Sequence, residues 1–340
     1  MHAQLKKLLP WLLYALPALA LLTASLGAWT RLVHAGLGCP DWPGCYGFTW
    51  LPETSADIDL ANTRYPDTPY EADKALWEVV HRYFAALTGL VIFLTATVLY
   101  AERITKLPAQ QVQQMQRLAV FACVWVLIQG FFGYLTVSLK LWPQIVTAHL
   151  LGGLLLVSLC WRLLMTSQLI AALKVALPPR LVPLIWLTLL AVLVQICLGA
   201  WVSSNYAALA CTDFPLCQGN LWPPTDFASG FNLTNPPGPN YLFGQLDNEA
   251  RTSIHLAHRL GALAAAAMLI WLSCALFRTG YHRWGATLLS LTALQITLGI
   301  LNVLWVLPLA IAVGHHLGAF LLWLGLLTLL PVAIASTGRQ

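Results

Sequence analysis

Charge is what this sequence has least of. Only 9% of its 340 residues are Asp, Glu, Lys or Arg, while 59% are hydrophobic; an ordinary globular protein carries roughly 25% charged residues. So few charges cannot cover a water-facing surface, which excludes a soluble fold of two or three domains. Runs of Lys or Arg are also missing and the net charge is only +5, so no footprint for nucleic acid is present. No Arg/Ser-rich transit segment or small-residue cleavage site precedes the apolar stretch that follows Lys6-Lys7. A bacterial cytoplasmic membrane is then the simplest address. What fills the chain instead is long uncharged runs and 15 Trp, the composition of a polytopic membrane protein with many interfacial positions.

Crossing a hydrocarbon core takes about 20 apolar residues. Suitable stretches lie at 8–30, 83–101, 118–139, 141–161, 181–204, 260–277, 284–307 and 309–334. The last two form one uncharged run, Trp284 to Gly338, which Pro308 is placed to break; Pro143 after Lys140 sets a short turn between the third and fourth spans. The expected fold is all-α and integral to the membrane, with eight transmembrane helices. With the N-terminus inside, Lys6, Lys7, Arg103, Lys106, Arg117, Arg162, Lys174, Arg180, Arg278, Arg283 and Arg339 face the cytoplasm, and Glu102 is the only acid there. The positive-inside rule therefore places both termini in the cytoplasm. Two long connections, 34–76 and 205–250, fall outside; rich in Pro, Gly, Asn and Asp, they are expected to form irregular caps.

The chain also repeats itself. Leu26-Gly-Ala-Trp29 returns as Leu198-Gly-Ala-Trp201, and Cys39-Pro-Asp-Trp-Pro-Gly-Cys45 as Cys211-Thr-Asp-Phe-Pro-Leu-Cys217. Further on, His81-Arg82 matches His258-Arg259, Gln129 and Gly133 match Gln295 and Gly299, and His149-x-x-Gly152 matches His315-x-x-Gly318. Matched pairs in one order indicate tandem halves, 1–165 and 166–340. Four spans per half is an even number, so the two four-helix bundles are expected to be related by an axis along the membrane normal.

His81, His149, His258 and His315 hold equivalent positions near the outer ends of the second, fourth, sixth and eighth spans. Each half offers one pair, expected on neighbouring helices at one depth. Intramembrane ionisable residues are costly and usually functional, although a lone histidine is ordinarily held by a neighbouring helix. Zinc wants three or four ligands, with carboxylates or thiolates nearby. A haem iron takes two axial ligands across a flat macrocycle. Small residues follow three of the histidines one turn on: Gly152-Gly153, Gly261-Ala262 and Gly318-Ala319. They clear a slot on the ligand face, or serve tight helix packing. Arg82 and Arg259 can pair with haem propionates or snorkel to the interface.

Glu78 lies three residues before His81, and its counterpart is His255, an asymmetry that suggests different work in the two halves. Glu-x-x-His is half of a di-iron signature, but the chain holds no second one. Cys39 and Cys45, like Cys211 and Cys217, can close locally on the oxidising face as structural clips or redox-active pairs. Cys123, Cys160, Cys197 and Cys274 are scattered through spans as packing residues. His2, His34, His282 and His316 have no assigned role.

Taken together, these residues resemble the haem A synthase family over essentially the whole chain: eight spans, the repeat, two Cys-bearing loops, Glu78-Val-Val-His81-Arg82, and histidines opening the fourth and eighth spans. The resemblance implies oxidation of a ring methyl of haem O to a formyl group through a hydroxymethyl stage. It implies that His258 and His315, with Arg259, hold a haem b cofactor. His81 and His149, with Arg82, would bound the substrate haem, and Glu78 would act in the oxidation. The loop cysteines place the chain with the disulfide-bearing type. Candidate partners are lipid, the haem O synthase, an electron carrier or quinone, and a second copy of the chain. Competing readings are a bis-His membrane cytochrome b that carries electrons and a haem transporter or chaperone. The Glu78/His255 asymmetry favours an enzyme.

Overall fold

The computed structural model describes residues 2–101, 107–167, 169–170 and 177–337, with side chains between residues 8 and 330. Glu102, Arg103, Lys106, Lys174 and Arg339 of the charge argument lie outside the described residues, as do the side chains of Lys6 and Lys7. The elements are α1 (His2–Leu32), α2 (Ser55–Arg64), α3 (Ala72–Ala101), α4 (Ala109–Ser138), α5 (Pro143–Thr166), α6 (Val182–Ser204), α7 (Phe227–Gly230), α8 (Asn248–Arg278), α9 (His282–Leu304) and α10 (Leu309–Thr337). Among the described residues there is no strand, and eight helices are long and apolar enough to cross a membrane. This is a multi-pass, all-α membrane protein.

Three helices start more than two turns before their apolar runs, at residues 72, 109 and 248 rather than 83, 118 and 260. Hydropathy marks where a helix meets lipid, whereas the backbone stays helical through polar turns once it is capped. At the start of α8 the Asp247 carboxylate accepts the Ala250 N–H at 2.9 Å, a side-chain cap that satisfies one of the free amides there. Glu78 and His81 thus stand well inside α3 instead of preceding it. Nor is the first long connection irregular throughout. Thr54 and Asp57 form a reciprocal capping box that nucleates α2 within it.

The chain forms two compact units, Met1–Leu169 with Pro236–Leu242, and Ile170–Asn235 with Phe243–Gln340. The second long connection therefore lends seven residues to the first unit, fastened where the Tyr241 N–H donates to the Lys140 carbonyl at 2.9 Å. Within the first unit the main packing runs α1 on α3, α3 on α4, α4 on α5 and α5 back on α1. Within the second it runs α6 on α8, α8 on α9, α9 on α10 and α10 back on α6. The histidine-bearing helices of each bundle, α3 with α5 and α8 with α10, consequently stand diagonally. This corrects the expectation of neighbouring helices. Sequence-adjacent helices pack side by side in such a bundle, so alternate ones end up opposite.

Candidate functional site

Each unit carries a disulfide-closed loop built the same way. Cys39 is bonded to Cys45 and Cys211 to Cys217. Past the second cysteine the chain turns through positive φ at Tyr46 and Gly47, and at Gln218 and Gly219. An aspartate inside each ring caps that turn. Asp41 accepts the Tyr46 and Gly47 N–H groups at 2.6 and 2.8 Å, and Asp213 accepts those of Gln218 and Gly219 at 2.7 and 2.9 Å. The Gly219 N–H, with that of Gln218, holds the Asp213 carboxyl below the usual carboxylate range. Tyr46 is fully buried, packs edge-on against Tyr65 and Tyr70, and donates to the Pro69 carbonyl at 3.1 Å. Burial pushes its phenol up to about 12.

The arginine after each second-helix histidine grips its loop. Arg82 donates to the Asp41 carbonyl at 2.9 Å and to the Gly44 carbonyl, and pairs with Glu78. Arg259 donates to the Leu216 and Asp213 carbonyls at 2.7 and 2.8 Å. Both guanidinium groups are thus engaged with loop backbone next to the histidines.

Glu78 and His255 are likewise buried under the loops. The Glu78 carboxylate accepts the Cys39 N–H at 2.9 Å, while Nδ1 of His255 lies 3.0 Å from the Ala207 carbonyl. His255 therefore serves the loop, and His258 faces His315. Their rings are 6.5 Å apart centre to centre and nearly perpendicular.

All four bundle histidines sit against a glycine of another helix. A Cβ on Gly27 of α1 would meet the His81 ring at 2.9 Å. Gly199 of α6 and Gly299 of α9 would each meet His258 and His315, respectively, at 3.1 Å, and Gly133 of α4 would meet His149 at 3.8 Å. Nδ1 of His81, His149 and His315 is buried without a hydrogen-bond partner. Imidazoles in pairs on diagonal helices, three of the four with an unmet Nδ1, fit a flat group ligated from both faces. For His258 and His315, two metal–nitrogen bonds of about 2 Å plus two ring radii fill the observed separation. Among the described residues no three His, Cys, Asp or Glu side chains converge on one point, so the histidines offer pairs rather than a closed cage.

A second set of polar groups belongs to the same place. Gln195 of α6 donates to the His258 carbonyl at 3.1 Å with its amide nitrogen 3.0 Å from His258 Nδ1, and Gln295 of α9 donates to the His315 carbonyl at 2.9 Å. Gln129 of α4 is buried with its amide over Gly152 of α5. The signal lay in the sequence as Gln-x3-Gly paired with His-x2-Gly, three times over, although only the matches themselves stood out.

The sequence matches the COX15-CtaA family, described as cytochrome oxidase assembly protein, over residues 10–327. It is 40% identical over 324 residues to a protein of Shewanella oneidensis named Heme A synthase, covering 94% of this chain and 95% of that one. It is 30% identical over 340 residues to a protein of the same name from Symbiobacterium thermophilum, covering 95% and 94%. A third relative so named, from Wolbachia pipientis subsp. Culex pipiens, is 27% identical over 316 residues, covering 88% and 89%. The chain, with its paired intramembrane histidines under two disulfide-closed loops, belongs to the COX15-CtaA family of cytochrome oxidase assembly proteins.

Proposed function

We propose that this protein is a haem A synthase, an oxidoreductase of the bacterial cytoplasmic membrane with both termini in the cytoplasm. It takes haem O and oxidises one ring methyl to a formyl group by way of the hydroxymethyl compound. His258 and His315 hold a haem b cofactor, and His81 and His149 bound the substrate haem. The observation that carries this reading is the His258–His315 pair, 6.5 Å apart on diagonal helices. The full-length similarity to haem A synthases supports the substrate.

A bound haem b supplies one-electron redox chemistry; the chain's own side chains supply position and proton handling. The glycines opposite the histidines leave room for imidazole between close helices. Arg82 and Arg259 close the disulfide loops over the site and set a positive charge one residue from a ligand, where porphyrin carboxylates are drawn. Glu78 is the proton acceptor. Its carboxylate is held by the Cys39 N–H and Arg82, so it takes a proton once one of those donors lets go. The same position in the second unit holds His255, tied to a carbonyl, and that difference favours an enzyme over a carrier with two equivalent haems.

Haem extraction from purified protein tests the reading. Haem O or A beside haem B is expected; haem B alone would make it an electron carrier. His258→Ala and His315→Ala should each remove the low-spin haem b spectrum while the protein still inserts. A full spectrum in both variants would sink the cofactor assignment.

A further inference from the structure

The four histidines stand in four helix pairs, and three of those pairs share one construction. On the first helix a glutamine precedes a glycine by four residues: Gln129 and Gly133, Gln195 and Gly199, Gln295 and Gly299. On the second helix a histidine precedes a glycine by three: His149 and Gly152, His258 and Gly261, His315 and Gly318. The first glycine receives the imidazole. The second makes room for the glutamine amide, which occupies the space that a Cβ on Gly152, Gly261 or Gly318 would need. Glycine inside a helix is destabilising relative to alanine, and a buried amide is costly unless its groups are paired. Both recur at all three places.

The amides are not fully paired within the protein. Oε1 of Gln195 and of Gln295, and Nε2 of Gln129, are buried without a partner. A histidine that ligates iron through one ring nitrogen carries its proton on the other, and that N–H needs an acceptor to fix the ring. The Gln195 amide lies 3.0 Å from His258 Nδ1. Its oxygen and nitrogen ends exchange by rotation within nearly the same volume, so its unpaired oxygen can receive that proton.

The fourth pair departs from the pattern. Where the others have glutamine and glycine it has Thr23 and Phe84. The Thr23 hydroxyl is 2.8 Å from that of Thr88 and 3.3 Å from the Phe84 carbonyl, so it is spent on the helix. The His81 ring bonds to the Thr23 backbone instead; its Nδ1 is unpaired, as are those of His149 and His315, but no glutamine stands at this helix pair.

We propose that Gln129, Gln195 and Gln295 are positioning residues that fix the imidazoles of His149, His258 and His315, and that Thr23 with Phe84 leaves His81 the one ligand without a glutamine to hold it. This rests on the haem reading above. It gives the substrate site one ligand held by glutamine and one without, as suits a site that must release its product, and the cofactor site two so held.

The test uses full-length protein purified in detergent. Gln195→Leu and Gln295→Leu should each weaken haem b about 10- to 100-fold in competition with a haem-scavenging apoprotein, the usual cost of losing a ligand's outer partner. Both should raise its midpoint potential, because an imidazole without an acceptor at Nδ1 donates less to ferric iron. Gln195→Glu keeps an acceptor and should move the potential the opposite way, which a packing defect would not do. The double variant Thr23→Gln/Phe84→Gly rebuilds the fourth unit and should slow haem exchange in the first bundle about 10-fold or more. Leucine variants with wild-type affinity and potential would overturn the assignment while leaving the haem reading intact. A wild-type protein that binds no haem would overturn both.

Discussion

Glu78 and His255 occupy one position in two bundles, and each fastens its helix to the outer connection beside it with opposite polarity. The carboxylate accepts from the Cys39 amide; the imidazole meets the Ala207 carbonyl. Around them the loops share their disulfide, their aspartate-capped turn and their arginine clamp. They differ in filling. Tyr46 sits in an aromatic cluster with Tyr65 and Tyr70, whereas its counterpart Gln218 is polar and donates to Ala210 and Thr252. A duplicated frame thus keeps the groups that close the loop and varies those that fill it. An acid that can exchange a proton is retained in one half only.

The sharpest way to break this comparison is to remove the acid and its counterpart separately. Glu78→Gln keeps volume and hydrogen-bonding capacity but not the exchangeable proton. Haem A formation should fall by about 100-fold or more, the scale of general acid–base groups, with haem b retained. His255→Gln should leave turnover within a few-fold of wild type. Haem A made at the wild-type rate by the Glu78 variant, measured by chromatography of extracted haems, would end the proton-acceptor role.

Opening the disulfides gives a smaller effect. Replacing Cys39 and Cys45 by serine, or Cys211 and Cys217, should each cost about 2–3 kcal/mol from loop-closure entropy, read as a lower unfolding temperature. Only the first replacement should also slow turnover, because Cys39 holds Glu78. Equal loss of turnover in both would mean that the loops act as plain clips.

The aromatic filling of the first loop predicts alkaline sensitivity. The Tyr46 phenol is raised to about 12 from an ordinary value of about 10. Its neutral form therefore contributes stability that is complete below pH about 10 and is lost as pH rises towards 12. A melting-temperature scan should show that decline in wild type and less of it in Tyr46→Phe.

The smallest effect lies at the turn of the second loop. Asp213 is held below the usual carboxylate range by the Gly219 and Gln218 amides. Its contribution is present above the ordinary carboxylate pKa and disappears as pH falls through the lowered one. Asp213→Asn should flatten the acid limb of the stability profile, and an unchanged limb would assign it to other carboxylates.

The sequence by itself determined the fold class, because few charges and eight uncharged runs leave a chain no alternative to membrane helices. It also determined the tandem repeat and the local cysteine pairs, since matched motifs and a five-residue spacing are properties of order along the chain. Where α3, α4 and α8 begin was hidden, because hydropathy registers lipid contact and is blind to the polar helical turns that precede it. The diagonal placement of α3 with α5 and of α8 with α10 was decided only by how helices close into a ring. So were the loop contacts of Arg82, Arg259, Glu78 and His255, which join residues about 40 positions apart. Gln129, Gln195 and Gln295 show the boundary most clearly. Their spacing to glycine is plain in the sequence, but a glutamine in an apolar run has no evident partner there. Only packing one helix against another sets each amide over its glycine, and those of Gln195 and Gln295 against His258 and His315.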